Sequence, residues 1–177
     1  MQMTPTCIGK TLTTNTATIG QPGYLDWCQV AEMHRAGMTF QSHAHDHVVL
    51  PGLPARALKD ELHTPKRLLE DRVGCGVDFL AAPYGLLDRR VLDTAREVGY
   101  RAVCSSLSWP ARPGAAIVNW VTMYRNTTTA RFQAILGRQP SAYLPGVART
   151  VLLYVPRRVL LKVRPHYLGA QLQTEGV

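Results

Sequence analysis

The stretch VDFLAAPYGLLDRRVLDTAREVGYRAVCSS, residues 77–106, predicts the fold of this protein. It begins with a short apolar run that ends at a Pro-Tyr-Gly turn, continues as a helix-like segment, and ends in a second apolar run. The middle segment places five apolar residues at helical spacing: Leu87, Val91, Leu92, Ala95 and Val98. A strand, a helix and a strand in this order form a βαβ unit, whose two strands are parallel. We therefore expect a parallel sheet.

The same alternation extends toward the N-terminus. A helix is predicted after Asp26, which is placed to cap it, and a short strand over residues 38–42 follows. The segment PARALKDELHTPKRLLEDRVG, residues 54–74, predicts a helix that ends at Gly74 and is kinked or divided at Pro65. Farther along the chain, AAIVNWVTMY predicts a strand and TTTARFQAILG a helix. The sequence thus predicts an α/β protein, either an open doubly wound sheet or a barrel.

Composition limits the class of protein. With 177 residues, of which 46% are hydrophobic and 18% charged, the chain resembles one globular domain rather than a disordered or fibrous protein. Its four cysteines are scattered without a CxxC pair, which excludes a zinc ribbon and favours free thiols. The sequence shows no signal peptide and no membrane-spanning run. We expect no nucleic-acid partner, because no binding motif accompanies the basic residues.

The formal charge of +8 is concentrated near the C-terminus, where six lysines and arginines from Arg138 onward oppose the single acid Glu175. Basic residues are interspersed there with apolar ones, as in VLLYVPRRVLLKVRP. Such a segment suits peripheral contact with an anionic membrane surface. It also suits a helix whose arginine stems cover a core face. Both interpretations stay open, and we treat residues 138–177 as a basic C-terminal extension.

Three histidines and an aspartate fall within five residues of QSHAHDHVVL, residues 41–50, directly after a predicted strand. In both architectures ligands bind at the carboxyl ends of the strands, where the Pro-Tyr-Gly turn would also lie. This position favours a functional site over a solvated loop. Among metal-binding patterns, HxHxDH is one residue longer than HAHDH, and an HxH pair needs later ligands that the strand ends lack. The pattern that remains is His43 with His47, at positions i and i+4.

This pair and its flanking sequence resemble a known family. The runs PGYLDWCQVAEMHRAGMTFQSHAHDHVVL, LKDELHTPKRLLEDRVGCGVDFLAAPYG and AREVGYRAVCSS look like the polysaccharide deacetylases, the NodB homology domain of carbohydrate esterase family 4. The resemblance covers residues 20–136 and implies a truncated, distorted (β/α) barrel. It implies a deacetylase domain over residues 1–137, N-terminally incomplete, that hydrolyses N-acetyl or O-acetyl groups of a polysaccharide or oligosaccharide. Members often act at the cell envelope, and the localisation of this chain is not predicted.

The resemblance also implies roles for individual residues. In the family a GSH(S/T)xxH segment supplies two metal ligands, which implies His43 and His47 as ligands of zinc or another divalent metal. The PYG-like segment forms a wall of the substrate groove and offers a backbone N–H to the oxyanion. It corresponds here to Pro83, Tyr84 and Gly85, and we assign the catalytic donor to Tyr84.

One part of the expected chemistry is absent from the sequence. Amide hydrolysis needs a metal that polarises the carbonyl and lowers the pKa of a water from 15.7 toward about 7, an oxyanion donor, and a carboxylate base. The family takes its base and a further metal ligand from a TFDD-like motif on its first strand. The Thr-rich N-terminus has no aspartate, and the first acid, Asp26, is assigned to a helix cap. We therefore expect a missing first strand, an unpaired sheet edge, weak metal binding and little turnover. The alternative is a non-enzymatic carbohydrate-binding remnant or a gene fragment.

Five further residues near these motifs receive weaker assignments. Ala44 replaces the family's hydroxyl residue, so a looser loop is expected. His45 is expected to face solvent or to support the pair, and Asp46 to accept a hydrogen bond from a ligating imidazole or to lie on the surface. Trp109 is a candidate for stacking on a sugar ring. His166 is a poor match to the family's late general-acid histidine.

Overall fold

The structure, a computed structural model, describes residues 11–106, 114–121, 123, 125–148 and 152. Its strands are β1 (Thr11–Thr14), β2 (Thr39–Ser42), β3 (Phe79–Ala81), β4 (Ala102–Ser105) and β5 (Ile117–Asn119). The α-helices with both ends described are α1 (Trp27–Arg35), α2 (Ala55–Val73), α3 (Arg89–Val98) and α4 (Thr129–Leu136). Two short 3-10 helices, Thr16–Thr18 and Pro83–Gly85, follow β1 and β3.

All neighbouring strands are parallel, and their order in the sheet, β1-β2-β3-β4-β5, is their order along the chain. The predicted α/β class with a parallel sheet is therefore confirmed. In the part of the chain that is described, β1 and β5 form opposite edges, so the sheet is open. An open parallel sheet of this kind is the truncated, barrel-like arrangement that the family resemblance implies.

Several helix ends fall at the residues that the sequence indicates, although α3 begins at Arg89 and the predicted helix residue Leu87 lies before it. Asp26 forms a capping box at the start of α1, because its Oδ1 accepts the Gln29 N–H at 2.8 Å and the Gln29 side chain accepts the Asp26 N–H at 2.9 Å. Helices α2 and α3 end at Gly74 and Gly99, with φ of 74° and 97°. This left-handed conformation is easily adopted only by glycine.

Helix α2 continues through Pro65, so the expected division of the helix is wrong, and a kink at this residue stays a prediction. Proline has no backbone N–H, so one hydrogen bond of the helix is lost. The loss of helix stability depends on whether the neighbouring carbonyl groups find other donors. Close to this position the Tyr100 hydroxyl donates to the Leu62 carbonyl at 2.8 Å, and Pro65 itself is buried. The helix therefore runs for 19 residues and packs on β2, α1 and α3.

The expectation of an unpaired edge at β2 is wrong, whereas the absence of the family's TFDD-like strand stays a prediction, because β1 carries no aspartate. The Thr-rich stretch forms β1, which pairs with β2 over its whole length, from Thr11 opposite Thr39 to Thr14 opposite Ser42. Threonine is β-branched and suits a strand even where apolar residues do not alternate. The edge of β2 that we expected to be unpaired is bonded to β1, and β1 is the edge strand of the described sheet.

The hydrophobic core lies between the sheet and its helices. Phe40, Leu80 and Val103 of the three central strands are almost fully buried, as are Leu62 of α2 and Val91 of α3. A smaller cluster joins Ile135 of α4 to Ala142 and Tyr143. The predicted boundary at residue 137, between the deacetylase domain and the basic C-terminal extension, stays a prediction. Most of that extension, including His166, lies outside the described residues, and so does Trp109. No helix in the described part is long and apolar enough to cross a membrane.

Candidate active site

The carboxyl ends of β1, β2 and β3 bring three loops to one edge of the sheet. The loop after β2, residues 43–47, is called the histidine loop below. The 3-10 helix Thr16–Thr18 follows β1, and the 3-10 helix Pro83–Gly85 follows β3. Because neighbouring parallel strands are about 4.8 Å apart, side chains on these loops can meet.

His43 is fixed by two hydrogen bonds. Its backbone N–H donates to the Thr14 carbonyl at 2.8 Å, and its Nδ1 lies 2.8 Å from the Ala81 carbonyl oxygen. A carbonyl oxygen can only accept, so Nδ1 carries the proton. In the neutral ring the Nε2 lone pair is then left available, which is the state that a metal-binding histidine needs.

His47 lies beside His43, with the two ring centroids 4.7 Å apart and the planes tilted by 59°. On its other side, the Tyr84 ring meets His47 edge-on at 4.9 Å. The predicted approach of the two histidines is thus present in the structure. Zinc–imidazole bonds are about 2.0 to 2.1 Å long, so two histidines that share an ion must lie close to each other, as these two do.

Both imidazoles favour the neutral form. Burial lowers the pKa of His43, the bond to the Ala81 carbonyl raises it by less, and the neighbouring His47 lowers it further. Burial also lowers the pKa of His47. A neutral ring keeps the lone pair that binds a metal, so the environment suits ligation near neutral pH.

The histidine loop is attached to β1 on one side through His45. The His45 Nδ1 lies 2.7 Å from the Thr16 hydroxyl, and the His45 carbonyl accepts the Ala17 N–H at 3.1 Å. His45 therefore joins two loops instead of facing solvent freely. Ala44 is completely buried. It lacks the hydroxyl of the family's residue, but the hydrogen bonds of His45 still hold the loop.

On the other side, α2 contributes Glu61, which is 9% exposed. Its Oε2 accepts the N–H groups of His45 at 3.0 Å and Asp46 at 3.1 Å. The Asp46 side chain lies on the surface, which is one of its two expected placements, and the Ala81 carbonyl is the acceptor for the His43 ring. Burial raises the pKa of Glu61, and the two backbone N–H groups oppose that rise.

The turn after β3 requires its glycine. A Cβ on Gly85 would lie 2.3 Å from the Ser106 hydroxyl oxygen and 2.8 Å from the Ser106 backbone nitrogen. Tyr84 adopts a left-handed φ of 57°, and burial raises its pKa. The hydrogen bonds of the turn come from the N–H groups of Gly85 and Leu86, at 2.9 and 3.3 Å, so the Tyr84 N–H is not used by them.

The donors at this edge fit a divalent metal only in part. A catalytic zinc site generally has three protein ligands, and the described residues contain no group of three or more histidines, cysteines, aspartates or glutamates arranged to hold a metal. The loop after β1 begins with Asn15 and Thr16, which offer an amide and a hydroxyl instead of a carboxylate. His43 and His47 would thus supply two ligand positions, and among the described residues no carboxylate completes them.

The model of one protein family matches this chain over residues 3–103, and its description is polysaccharide deacetylase. The chain belongs to the polysaccharide deacetylase family. The match includes β1 and extends into β4. Among curated proteins, YxkH of Bacillus subtilis is 28% identical over 98 residues, which are 55% of this chain and 33% of that protein.

Solved deacetylase structures share the fold. The Streptococcus pyogenes deacetylase PplD, in complex with acetate, matches with a TM-score of 0.62 at 21% identity, covering 71% of this chain and 57% of that one. A mutant of BA3943, described as a CE4 family pseudoenzyme, matches with a TM-score of 0.50 at 16% identity, covering 77% and 53%. This deacetylase-family chain thus spans a third to somewhat over half of the length of these proteins.

Two parts of the site were not predicted from the sequence. Glu61 was treated only as part of a helix, although it lies three residues from Leu58 and next to Leu62 on a face that is otherwise apolar. A carboxylate on a buried helix face needs a partner, and that position was the available signal. The contribution of Thr16 was missed because β1 itself was not predicted.

Proposed function

We propose that this chain is a metal-dependent deacetylase domain, in which His43 and His47 bind zinc or another divalent metal next to an acetylated glycan. The observation that carries the proposal is the pairing of the two rings, one of them fixed by the Ala81 carbonyl with its Nε2 available. A metal bound there would polarise the acetyl carbonyl and acidify a water molecule. The substrate is an N-acetylated or O-acetylated polysaccharide or oligosaccharide, as the family resemblance implies.

The chain's own residues have separate tasks in this proposal. Pro83, Tyr84 and Gly85 form one wall of the substrate groove, since their turn lies against the His47 ring. The Tyr84 N–H, which the turn does not use, donates to the oxygen that becomes negative. In other enzymes, loss of one such donor costs about 3 to 4 kcal/mol of transition-state stabilisation.

A second function is favoured by one specific observation. The loop after β1 brings Asn15 and Thr16 next to the histidine loop, and within the described residues no acid completes the pair of His43 and His47. Proton removal and metal binding are then both impaired. The chain by itself would bind a glycan and release little or no acetate, as a non-enzymatic remnant or as a fragment of a longer protein.

The discriminating experiment measures acetate release and sugar binding separately. The proteins are the 177-residue chain, its Asn15→Asp/Thr16→Asp variant, and that variant with His43→Ala, each with chitooligosaccharide and added zinc. We expect little turnover by the unmodified chain, a gain with the two aspartates, and loss of that gain without His43. The aspartates are placed on the loop after β1, because the end of β1 and this loop are hydrogen-bonded to His43 and His45.

Each outcome decides between the two functions. Robust turnover by the unmodified chain would show that another group acts as the base, and the second function would be wrong. Sugar binding without turnover, in all three proteins, would support the binding remnant. Absence of both sugar binding and turnover would contradict both functions for this chain.

A further inference from the structure

We propose that Glu61 is a positioning residue, whose carboxylate sets the backbone of the histidine loop so that His47 lies beside His43. The inference rests on the proposed function, since it deepens the account of the same site. Glu61 has no contact with the reacting groups in this proposal. It acts through the loop.

The first argument is the placement of its hydrogen bonds. Glu61 Oε2 accepts two consecutive backbone N–H groups, those of His45 at 3.0 Å and Asp46 at 3.1 Å. Hydrogen bonds to a charged acceptor are stronger than neutral ones, and this acceptor lies on a 19-residue helix that packs in the core. The loop is therefore attached to a rigid element of the fold.

The second argument is the conformation of the loop. Ala44 and His47 both have a left-handed backbone, with φ of 65° and 56°. Non-glycine residues keep this conformation only where the surroundings enforce it. The two amides that Glu61 accepts belong to the residues between them, so its carboxylate fixes the segment that connects the two left-handed positions.

The third argument is that His43 and His47 differ in their own support. The His43 backbone is bonded to Thr14 and its ring to Ala81, both independently of Glu61. Within the described residues, the His47 ring contacts the rings of His43 and Tyr84 and makes no hydrogen bond. The position of His47 therefore depends on the path of the loop, which Glu61 determines.

Glu70 supplies a matched control on the same helix. Its Oε1 also accepts a backbone N–H, that of Val77 at 3.0 Å, and it pairs with Lys66 at 2.7 Å. This carboxylate holds a different loop, away from the histidines. Loss of a helix-to-loop hydrogen bond is thus common to the variants of both glutamates, whereas an effect on the histidine pair is specific to Glu61.

The experiment uses the full chain and the variants Glu61→Ala, Glu61→Gln, Glu70→Ala and Glu70→Gln. Three quantities are measured: the melting temperature, the nuclear Overhauser effect between the His43 and His47 ring protons without metal, and the affinity for zinc by calorimetry. We expect Glu61→Ala to lose the ring-to-ring effect and about tenfold in zinc affinity, the lower end for residues that support metal ligands. Glu61→Gln, which keeps one oxygen acceptor, should lose less, and both Glu70 variants should keep wild-type values.

The proposal is overturned if Glu61→Ala melts like Glu70→Ala and keeps both the ring-to-ring effect and the zinc affinity. Should Glu61→Ala fail to fold, Glu61→Gln against Glu70→Gln decides: unchanged rings and affinity in Glu61→Gln overturn the proposal, and a loss there alone supports it. If the wild-type chain binds no zinc, the metal part of the proposed function fails. The ring-to-ring effect still decides the role of Glu61.

Discussion

The loops after β2 and β3 differ from the loop after β1 in the groups that they bring to the sheet edge. The first two carry the rings of His43, His47 and Tyr84, which lie against one another. The end of β1 and the loop after it are also close, since the Thr14 carbonyl accepts the His43 N–H at 2.8 Å and the Thr16 hydroxyl contacts His45, but this loop begins with Asn15 and Thr16 and brings no carboxylate there. The fold therefore positions a loop at this edge whether or not its side chains can bind a metal or act as a base. Geometry and activity need separate tests.

The largest effect is expected at the loop after β3. Gly85→Ala should lower the free energy of unfolding by about 2 to 4 kcal/mol, because its Cβ overlaps Ser106 and an L-residue is strained at φ of 65°. Urea denaturation measures this loss. Gly52→Ala is the control, since its φ is 98° but nothing lies within 4 Å of the added Cβ. Equal losses in the two variants would show that the contact with Ser106 is unimportant.

The second prediction changes the chemistry of the loop after β1. Thr16→Asp adds a carboxylate to the loop that contacts the histidine loop through His45, and we expect a third, anionic ligand there to tighten zinc binding by about tenfold or more. Thr11→Asp adds the same charge at the opposite end of β1 and should leave the affinity unchanged. Calorimetric titration compares the two. An equal gain in both variants would mean that overall charge, rather than a third ligand, is responsible.

The third prediction concerns the hydrogen bond between Thr16, in the loop after β1, and His45, in the histidine loop. Thr16→Val removes the hydroxyl that bonds to His45 Nδ1, and should cost about 1 kcal/mol of unfolding free energy because the buried hydroxyl is lost without a replacement. Thr11 also forms a 2.7 Å side-chain hydrogen bond, to Thr39, but in an exposed position. Thr11→Val should therefore cost less. If thermal unfolding shows a larger loss of stability for Thr11→Val than for Thr16→Val, the hydrogen bond between Thr16 and His45 does not stabilise the fold as proposed.

The smallest expected effect is on the pH dependence of stability. Burial lowers the pKa of His43 and His47 below the ordinary value of 6.5, so the unfolded chain binds more protons. Their contribution to stability is complete above pH 6.5 and is lost as the pH falls below it. A His43→Gln/His47→Gln variant should thus lose less stability than the wild type between about pH 7 and 5.5.

Glu61 contributes with the opposite sign, because burial raises its pKa and its contribution is lost as the pH rises through the raised value. It is present in both proteins, so the difference between their unfolding curves isolates the histidines. Parallel curves over this range would show that the two imidazoles do not titrate differently on folding.

Much of the fold was readable from local signals. Asp26, Gly74 and Gly99 mark helix ends through capping and left-handed backbone, and these signals act over a few residues. The pairing of His43 with His47 also follows from short spacing at a strand end. The strand TLTT was missed because its stability comes from pairing with β2, which is distant in sequence. Glu61 was missed for the same reason, since its partners lie 15 and 16 residues away.

The collinear order of the strands has a consequence for synthesis on the ribosome. Each strand from β2 onward pairs with the one made just before it, so its partner has always left the ribosome first. Translation at about 5 to 20 residues per second leaves time for each βαβ unit to form before the next. The backbone of the histidine loop is bonded to β1, to the loop after it and to α2, all of which precede residue 74, whereas the His43 ring also needs the Ala81 carbonyl of β3. The nascent chain can therefore assemble this part of the site while its C-terminal half is still being translated.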